Sequence, residues 1–189
     1  MDSLNLAPTP ALGGWQAHHP GITVRELSNH SLVSIAAPLN GRDTLQQTLS
    51  SKLSLELPIT GQFSASSDHT LLGLQPDQWF LKIGQASVNP VAEIADSIGA
   101  SAHLTDQSDS WVVIELEGIH ARLVLERICP IDLHPDVFSI GSVTRTSMEH
   151  LGVIIYRTAT DTFVLLSARS SAESFRHALE VSINNALPD

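Results

Sequence analysis

The sequence predicts an α+β protein in which antiparallel sheets are covered on one face by helices. Short apolar runs alternate with polar turns, so strands are expected to pair locally as hairpins. Only four segments place apolar residues at helical spacing, too few to join every strand to the next by a parallel crossover. Apolar residues make up 42% of the 189-residue chain and charged residues 16%, which suits a chain that buries a core.

Residues 1–20 are predicted to form an extended arm, and residues 21–189 a single domain. The arm contains three prolines and Gly13-Gly14, and it has no periodicity. Its leucines and Trp15 are too apolar for a fully solvated tail. We therefore expect the arm to dock on its own domain or on a neighbour, and a frayed terminus is the alternative.

The first predicted unit is a hairpin over 22–37 followed by a helix. The hairpin would turn at Ser28-Asn29-His30, between two alternating apolar runs. Asp43 is expected to cap the helix, Pro58 and Gly61 should end it, and 62–68 is predicted to be a loop. The buried stripe of this helix has apolar residues four positions apart, namely Leu45, Leu49 and Leu53.

The second unit is a hairpin over 71–83 and a helix that Asn89-Pro90 opens. Pro76-Asp77 supplies the turn, because proline fixes φ and the aspartate bonds its own backbone. Proline is tolerated in the first helical turn, and Gly99 can close the helix in the left-handed conformation. The apolar stripe of this helix consists of Val91, Ile94, Ala95 and Ile98.

A third hairpin is predicted over 102–117, with its turn at 107–109, followed by a helix over 119–128. In its second strand, Val112, Ile114 and Leu116 should face the core. Arg122 and Glu126 have the spacing of a helical ion pair. The expected apolar positions of the helix are Ile119, Leu123 and Ile128.

After an irregular segment with two prolines, 129–136, the chain predicts three strands over 141–148, 152–158 and 162–168. Ser170 or Ser171 should cap a last helix, with Glu173 available to the cap. Its stripe is Ala172, Phe175, Leu179 and Ile183. The sum is about nine strands and four helices, in hairpin–helix units that recur as a pattern without a sequence repeat.

Charge and cysteine content exclude several classes of function. The net charge is −10, and the ten basic residues are scattered singly, which argues against binding of a nucleic-acid backbone. The single cysteine allows neither an internal disulfide nor a thiolate zinc site. No apolar run approaches the roughly 20 residues of a membrane span, and no secretory signal begins the chain. We expect a cytoplasmic protein that does not contact a membrane.

The residues predict no catalytic, cofactor-binding or metal site. Cys129 has His134 five residues on, but it follows a helix C-terminus, where the dipole disfavours a thiolate. The carboxylate pairs Asp106/Asp109 and Glu115/Glu117 are ascribed to a turn and a strand face. Phosphate-binding glycine motifs and a G-x-S-x-G elbow are absent from the sequence. The histidines occur without metal-ligand spacing: His18, His19, His30, His69, His103, His120, His134, His150 and His177.

Several segments resemble known families. The segment QPDQWFL at 75–81 resembles the G-P-D-x-W-L-L hairpin of the folate-binding aminomethyltransferase superfamily, and 104–121 is similar to its D-x-S-d … l-x-G-p-x-A segment. More selectively, CPIDLHPDVF at 129–138 and GSVTRT at 141–146, with Tyr156-Arg157 and 168–175, resemble the gamma subunit of heterotetrameric sarcosine oxidase. The resemblance covers about residues 69–180.

The resemblance implies an aminomethyltransferase-like fold with ferredoxin-like βαββαβ elements. It also implies a non-catalytic structural subunit that packs directly on the alpha subunit, with beta and delta in the assembly. Such a complex demethylates sarcosine to glycine and passes the one-carbon unit to tetrahydrofolate. FAD, FMN, NAD and tetrahydrofolate would be held by other subunits, and none by this chain. An exposed apolar patch, which the mean hydropathy of +0.09 also suggests, is then expected on the isolated chain.

Departures from the superfamily pattern keep two alternatives open. Gly118-Ile119 replaces the usual Gly-Pro, and the N-terminal part has no match to the aspartate motif of folate-using members. The chain could be a stand-alone folate-binding one-carbon transfer or repair protein. It could also be the equivalent subunit of another N-methyl amino acid demethylase, acting on dimethylglycine or N-methylproline.

Overall fold

The computed structural model describes residues 9–187, which form eleven strands and four α-helices. The helices are α1 (Arg42–Leu53), α2 (Pro90–Ile98), α3 (Ala121–Glu126) and α4 (Ala172–Ala186). The strands are β1 (Gln16–His19), β2 (Ile22–Leu27), β3 (Ser31–Ala36), β4 (Phe63–Ala65), β5 (His69–Gln75), β6 (Gln78–Ile83), β7 (His103–Asp106), β8 (Trp111–Glu117), β9 (Val143–Met148), β10 (Leu151–Ala159) and β11 (Thr162–Ala168).

The strands form two antiparallel sheets that pack face to face between two layers of helices. The six-stranded sheet has the order β1-β2-β8-β11-β10-β9, and the five-stranded sheet the order β4-β5-β6-β3-β7. One core lies between the six-stranded sheet and α3 and α4, a second lies between the five-stranded sheet and α1 and α2, and a third lies between the sheets. Each sheet is thus covered by helices on one face, and the predicted α+β class is confirmed.

The chain builds two halves of the same ferredoxin-like design. In the first half, β3, α1, β5, β6, α2 and β7 follow one another, and their strands lie in the order β5-β6-β3-β7. In the second half, β8, α3, β10, β11 and α4 repeat the series, and the strands lie in the order β10-β11-β8-β2. The fourth strand of the second half is therefore β2, from the start of the chain.

Two of the predicted hairpins are wrong for this reason. β2 and β3 exist where the sequence placed them, but β2 pairs with β1 and β8, whereas β3 pairs with β6 and β7. β7 and β8 likewise lie in different sheets. Alternation identifies a strand without identifying its partner, so two sheet-switching connections look like hairpin turns. The hairpin β5–β6 is confirmed, with Asp77 at φ 57° in its turn.

Helix positions are confirmed more often than helix ends. Asn89 caps α2 by accepting from the Ala92 N–H, as expected. Asp43 does not cap α1, which begins after Gly41, and Gly99 keeps right-handed angles. Pro58 and Gly61 lie beyond the end of α1 at Leu53, where Ser54 is left-handed, and the predicted loop 62–68 contains β4.

The last two helices differ from each other in how well their buried faces were predicted. All four stripe residues of α4 are buried. In contrast, α3 buries Ala121, Val124 and Leu125, and the predicted positions Ile119, which lies before α3, and Leu123 are exposed. The expected Arg122–Glu126 pair is present at 3.0 Å. The side chain of Ser171 makes no capping bond, and Glu173 pairs with Arg176 instead.

Part of the predicted arm is structured. Residues 16–19 form β1 at the edge of the six-stranded sheet, and Ala11, Leu12 and Trp15 pack on its core. Both carboxylate oxygens of Glu26 accept backbone N–H groups of the arm, from Leu12 and Gly14. Residues 1–8 lie outside the described range. None of the described helices is both long and apolar enough to cross a membrane.

Candidate functional site

A cleft of about 780 Å³ lies where the chain switches between the sheets. Its walls come from the β2–β3 connection, the β7–β8 connection and the segment before α2, with Thr9 and Pro10 of the arm on one side. Volumes of this order are typical of small-molecule sites. The sequence did not predict the cleft, because it is formed by the two connections that alternation presents as hairpin turns.

The two halves contribute equivalent residues to this cleft. His30 lies five residues before Ile35, which pairs with Trp79, and Trp111 lies five residues before Leu116, which pairs with Phe163. His30 Nδ1 and Trp111 Nε1 are both buried without a hydrogen-bond partner, and they are the only such side-chain atoms among residues 9–187. Buried polar atoms are normally satisfied, so these two stand out as groups that a ligand or ordered water could engage.

Electrostatics keep the His30 side of the cleft neutral. Burial, reinforced by the charge of Lys82, lowers the pKa of His30 to about 4. Burial also lowers the pKa of Lys82, although the nearby Glu115 opposes this shift. At neutral pH His30 is therefore an uncharged imidazole with one N–H, which can orient a ligand but adds no positive charge to the cleft.

Two of the three carboxylates that line the cleft are engaged in local structure. Glu26 and Asp106 occupy equivalent positions, opposite Ile114 and Val33 on their neighbouring strands, and both accept backbone N–H groups. Arg169 donates to the Thr9 carbonyl across 2.6 Å. These groups hold the walls of the cleft in place.

The edge strands β4 and β9 belong to different sheets, and the loops before them meet. We call this meeting point the seam. Phe63 N–H donates to Gly141 O at 2.9 Å, and Val143 N–H donates to Gly61 O at 3.0 Å. Gly61 and Gly141 have matching left-handed angles, with φ 92° and 95°. The two loops are thus the same turn, used once in each half and bonded to each other.

Arg157 anchors the second of these turns from inside the protein. It is buried and has no carboxylate partner among residues 9–187, and it donates to the carbonyls of Phe138 (2.8 Å), Ala159 (3.3 Å) and Thr160. Its guanidinium also lies 5.2 Å from the ring centroid of Phe163. Sequence reasoning missed this role, although a single arginine within the apolar run around β10 and β11 was a signal.

The residues weighed as catalytic candidates are not brought together. Cys129 is buried, and burial raises the pKa of its thiol. Glu115 accepts from Arg25 across the sheet, and His134 lies on the surface beside Asp136. Within residues 9–187, no three His, Cys, Asp or Glu residues form a group that could hold a metal ion.

A sequence profile of the sarcosine oxidase, gamma subunit family matches residues 42–184, from the start of α1 into α4. The chain belongs to this family. It is 33% identical over 110 residues to the sarcosine oxidase subunit gamma of Corynebacterium sp. (strain P-1), covering 58% of the chain and 54% of the relative. It is 31% identical over 108 residues to the Arthrobacter sp subunit, covering 56% and 53%. The chain spans about half the length of the curated relatives it matches.

Two solved structures share the fold. A chain of heterotetrameric sarcosine oxidase from Corynebacterium sp. U-96 superposes with a TM-score of 0.77 at 24% identity, over 92% of this chain and 89% of that one. Glycine cleavage system aminomethyltransferase T from Bartonella henselae gives 0.55 at 16% identity, over 82% and 44%. The expectation of an aminomethyltransferase-like fold is confirmed.

Proposed function

We propose that the chain is a structural, non-catalytic gamma subunit of a heterotetrameric oxidase that demethylates sarcosine to glycine. The observation that carries the proposal is the family match over residues 42–184. FAD, FMN, NAD and tetrahydrofolate would lie on the other subunits, and the assembly would be cytoplasmic. This chain would pack on the alpha subunit and hold it in a competent form, with beta and delta completing the complex.

The chemistry of the chain supports a structural role. The thiol of Cys129 and the imidazole of His30 are both held neutral by burial, so neither is prepared as a nucleophile or a proton donor at neutral pH. Exposed apolar side chains, by contrast, recur on several connections. Such side chains are typical of a surface that a partner covers.

Omission of the chain tests this proposal. The three other subunits are expressed with and without it, and sarcosine oxidation and complex mass are measured. We expect the complete complex to assemble and to oxidise sarcosine, and the preparation without the chain to lose both properties. The purified chain alone should hold no flavin. Assembly and full activity without the chain would overturn the proposal. Dimethylglycine and N-methylproline as substrates would distinguish related demethylases.

The cleft favours a second candidate, a stand-alone folate-binding one-carbon transfer or repair protein. Its volume and the two nitrogens that have no partner among residues 9–187 suit a flat ligand that carries hydrogen-bonding groups, including an acceptor for Trp111 Nε1–H. Calorimetric titration of the isolated chain with tetrahydrofolate separates the two candidates. Micromolar binding that Trp111→Phe weakens would favour the second candidate, and no binding would favour the structural subunit.

A further inference from the structure

Exposed apolar side chains flank the bonded turns at the seam. Eight large apolar side chains are exposed in the described part of the chain, and three of them flank these turns: Ile59 (60%), Val137 (65%) and Ile140 (58%). The other five lie before α1, α2 and α3 and within α3 and α4, and the main alternative patch is Ile119, just before α3, with Leu123 of α3. We call Ile59, Val137 and Ile140 the seam surface.

Backbone hydrogen bonds and a bridge connect the two turns that carry Ile59 and Ile140. Ile59 O accepts from Gln62 N–H in a turn, Ser139 O accepts from Ser142 N–H in the equivalent turn, and Gln62 bridges Ser142. Chain geometry then confines the Cα atoms of Ile59 and Ile140 to within about 20 Å of each other. An interface of standard size, about 800 Å² per partner, spans that distance.

The seam surface is also held rigid before any partner arrives. Gly61 N–H donates to Gly73 O, Gly141 N–H donates to Arg157 O, and the Arg157 side chain fixes the Phe138 carbonyl. A surface that is already ordered loses little conformational entropy on binding.

The two segments that carry the seam surface are acidic. Residues 54–62 and 129–142 contain three carboxylates, Glu56, Asp132 and Asp136, and no lysine or arginine. A second copy docked symmetrically on this face would place carboxylates against carboxylates, which is unfavourable. A different subunit with an apolar centre and a rim of cations would be complementary.

We propose that the seam surface is the docking site for a larger subunit of the oxidase, one that presents apolar side chains within a cationic rim. This inference rests on the proposed function and adds the face and the chemistry of the contact. The partner subunit would bury Ile59, Val137 and Ile140 and pair its cations with the surrounding carboxylates.

Competitive incorporation tests the proposal in the assembled complex. A tagged variant and untagged wild-type chain are co-expressed with the other subunits, and their ratio in the purified complex is measured by mass spectrometry. Val137→Lys should be incorporated on the order of 100-fold less than wild type, since it removes an apolar contact and opposes the cationic rim. Val137→Glu should lose only about 5-fold, because its charge suits that rim.

The matched controls are exposed apolar residues that lie outside the seam surface. Val88 is fully exposed beside the cleft, so Val88→Lys should stay within about twofold of wild type. Leu123→Lys gives the same control on α3. The thermal midpoint of each isolated variant, expected within about 2 °C of wild type, identifies variants that are lost through misfolding.

Equal incorporation of Val137→Lys and Val88→Lys would overturn the seam surface as the docking site, and so would a larger loss for Leu123→Lys. Equal losses for Val137→Lys and Val137→Glu would overturn the cationic rim. A wild-type dimer that Val137→Lys dissociates would overturn the choice of occupant. Absence of the wild-type chain itself from the complex would instead overturn the proposed function.

Discussion

The two halves secure the same loop carbonyl in opposite ways. In the first half, Trp79 Nε1 donates to Pro58 O at 2.9 Å, and the residue paired with Trp79 is Gly73. In the second half, the equivalent pair is Phe163 and Arg157, and Arg157 donates to Phe138 O. Both strands are irregular directly after this pair, between Gly73 and Gln75 and between Arg157 and Ala159.

We infer from this difference that the fold requires a hydrogen-bond donor at this carbonyl but not a particular residue. A tryptophan can supply the N–H from one strand of the pair, and its neighbour is then a glycine. A phenylalanine cannot donate, so the neighbouring strand supplies an arginine. The second solution bonds more carbonyls and places a buried cation under the seam surface. It should therefore depend more strongly on one side chain.

Replacement of Arg157 should have the largest effect. Arg157→Met keeps much of the apolar stem but removes a buried donor that bonds three carbonyls, of which that of Phe138 is buried, so we expect a loss of about 4 kcal/mol in unfolding free energy. Urea unfolding followed by circular dichroism measures it. The control Arg122→Met removes an exposed ion pair and should cost about 0.5 kcal/mol or less. A similar small cost for both variants would contradict the anchoring role.

Acid should expose a difference between the halves, because His30 titrates and its counterpart Trp111 does not. Burial holds the pKa of His30 at about 4, below the ordinary histidine value of 6.5. Stabilisation from keeping this residue neutral is fully present above pH 6.5 and is lost as the pH falls through 6.5 towards 4, by up to about 3 kcal/mol. Unfolding curves of His30→Gln should have a shallower pH dependence in this window than those of wild type, and equal pH dependence would contradict the burial of a neutral His30.

Glycine at position 73 should be required in the first half. A Cβ there would lie 2.4 Å from the Ile59 carbonyl oxygen, which is backbone and cannot move aside cheaply. Gly73→Ala is expected to cost about 2 kcal/mol in unfolding free energy. Gly152→Ala is the matched control, because its Cβ would meet nothing within 4 Å, and it should be neutral or stabilise by about 0.5 kcal/mol. Equal effects would show that the close approach carries no constraint.

The smallest change in unfolding free energy is expected for two tryptophans, Trp79 and Trp111. The indole N–H of Trp79 makes a hydrogen bond, whereas that of Trp111 has no partner among residues 9–187. Trp79→Phe keeps a ring and removes the bond to Pro58 O, and should cost about 1 kcal/mol. Trp111→Phe removes an N–H that has no partner, and should cost close to nothing in the absence of a ligand. If Trp111→Phe were the more destabilising of the two, the Trp111 nitrogen would have to be satisfied in solution.

The sequence predicted elements better than it predicted their partners. Period-two alternation located β2, β3, β7 and β8, because it reports which face of a strand is buried. It does not report which strand lies alongside, and the exchange of β2 into the second half depends on contacts between residues far apart in sequence. β4 has three residues, too few for a pattern. The prediction of α3 failed at Ile119 and Leu123, two apolar residues that the fold leaves on the surface.

The candidate site was still less accessible to sequence reasoning. The equivalence of His30 and Trp111 follows from strand register and has no trace in residue identity. The seam surface comes from two turns whose only shared residues are Gly61 and Gly141. The family resemblance, in contrast, was readable because it rests on short segments in a fixed order, and the family match over 42–184 confirms it.

Hydrogen–deuterium exchange of the chain, free and within the purified complex, shows which face a partner subunit covers. We expect the complex to slow exchange in residues 59–63 and 137–143 and to leave residues 28–30 and 86–88 unchanged. That result would make the chain a subunit that docks through the seam surface. Unchanged exchange at the seam, with protection confined to the cleft, would contradict docking through the seam surface.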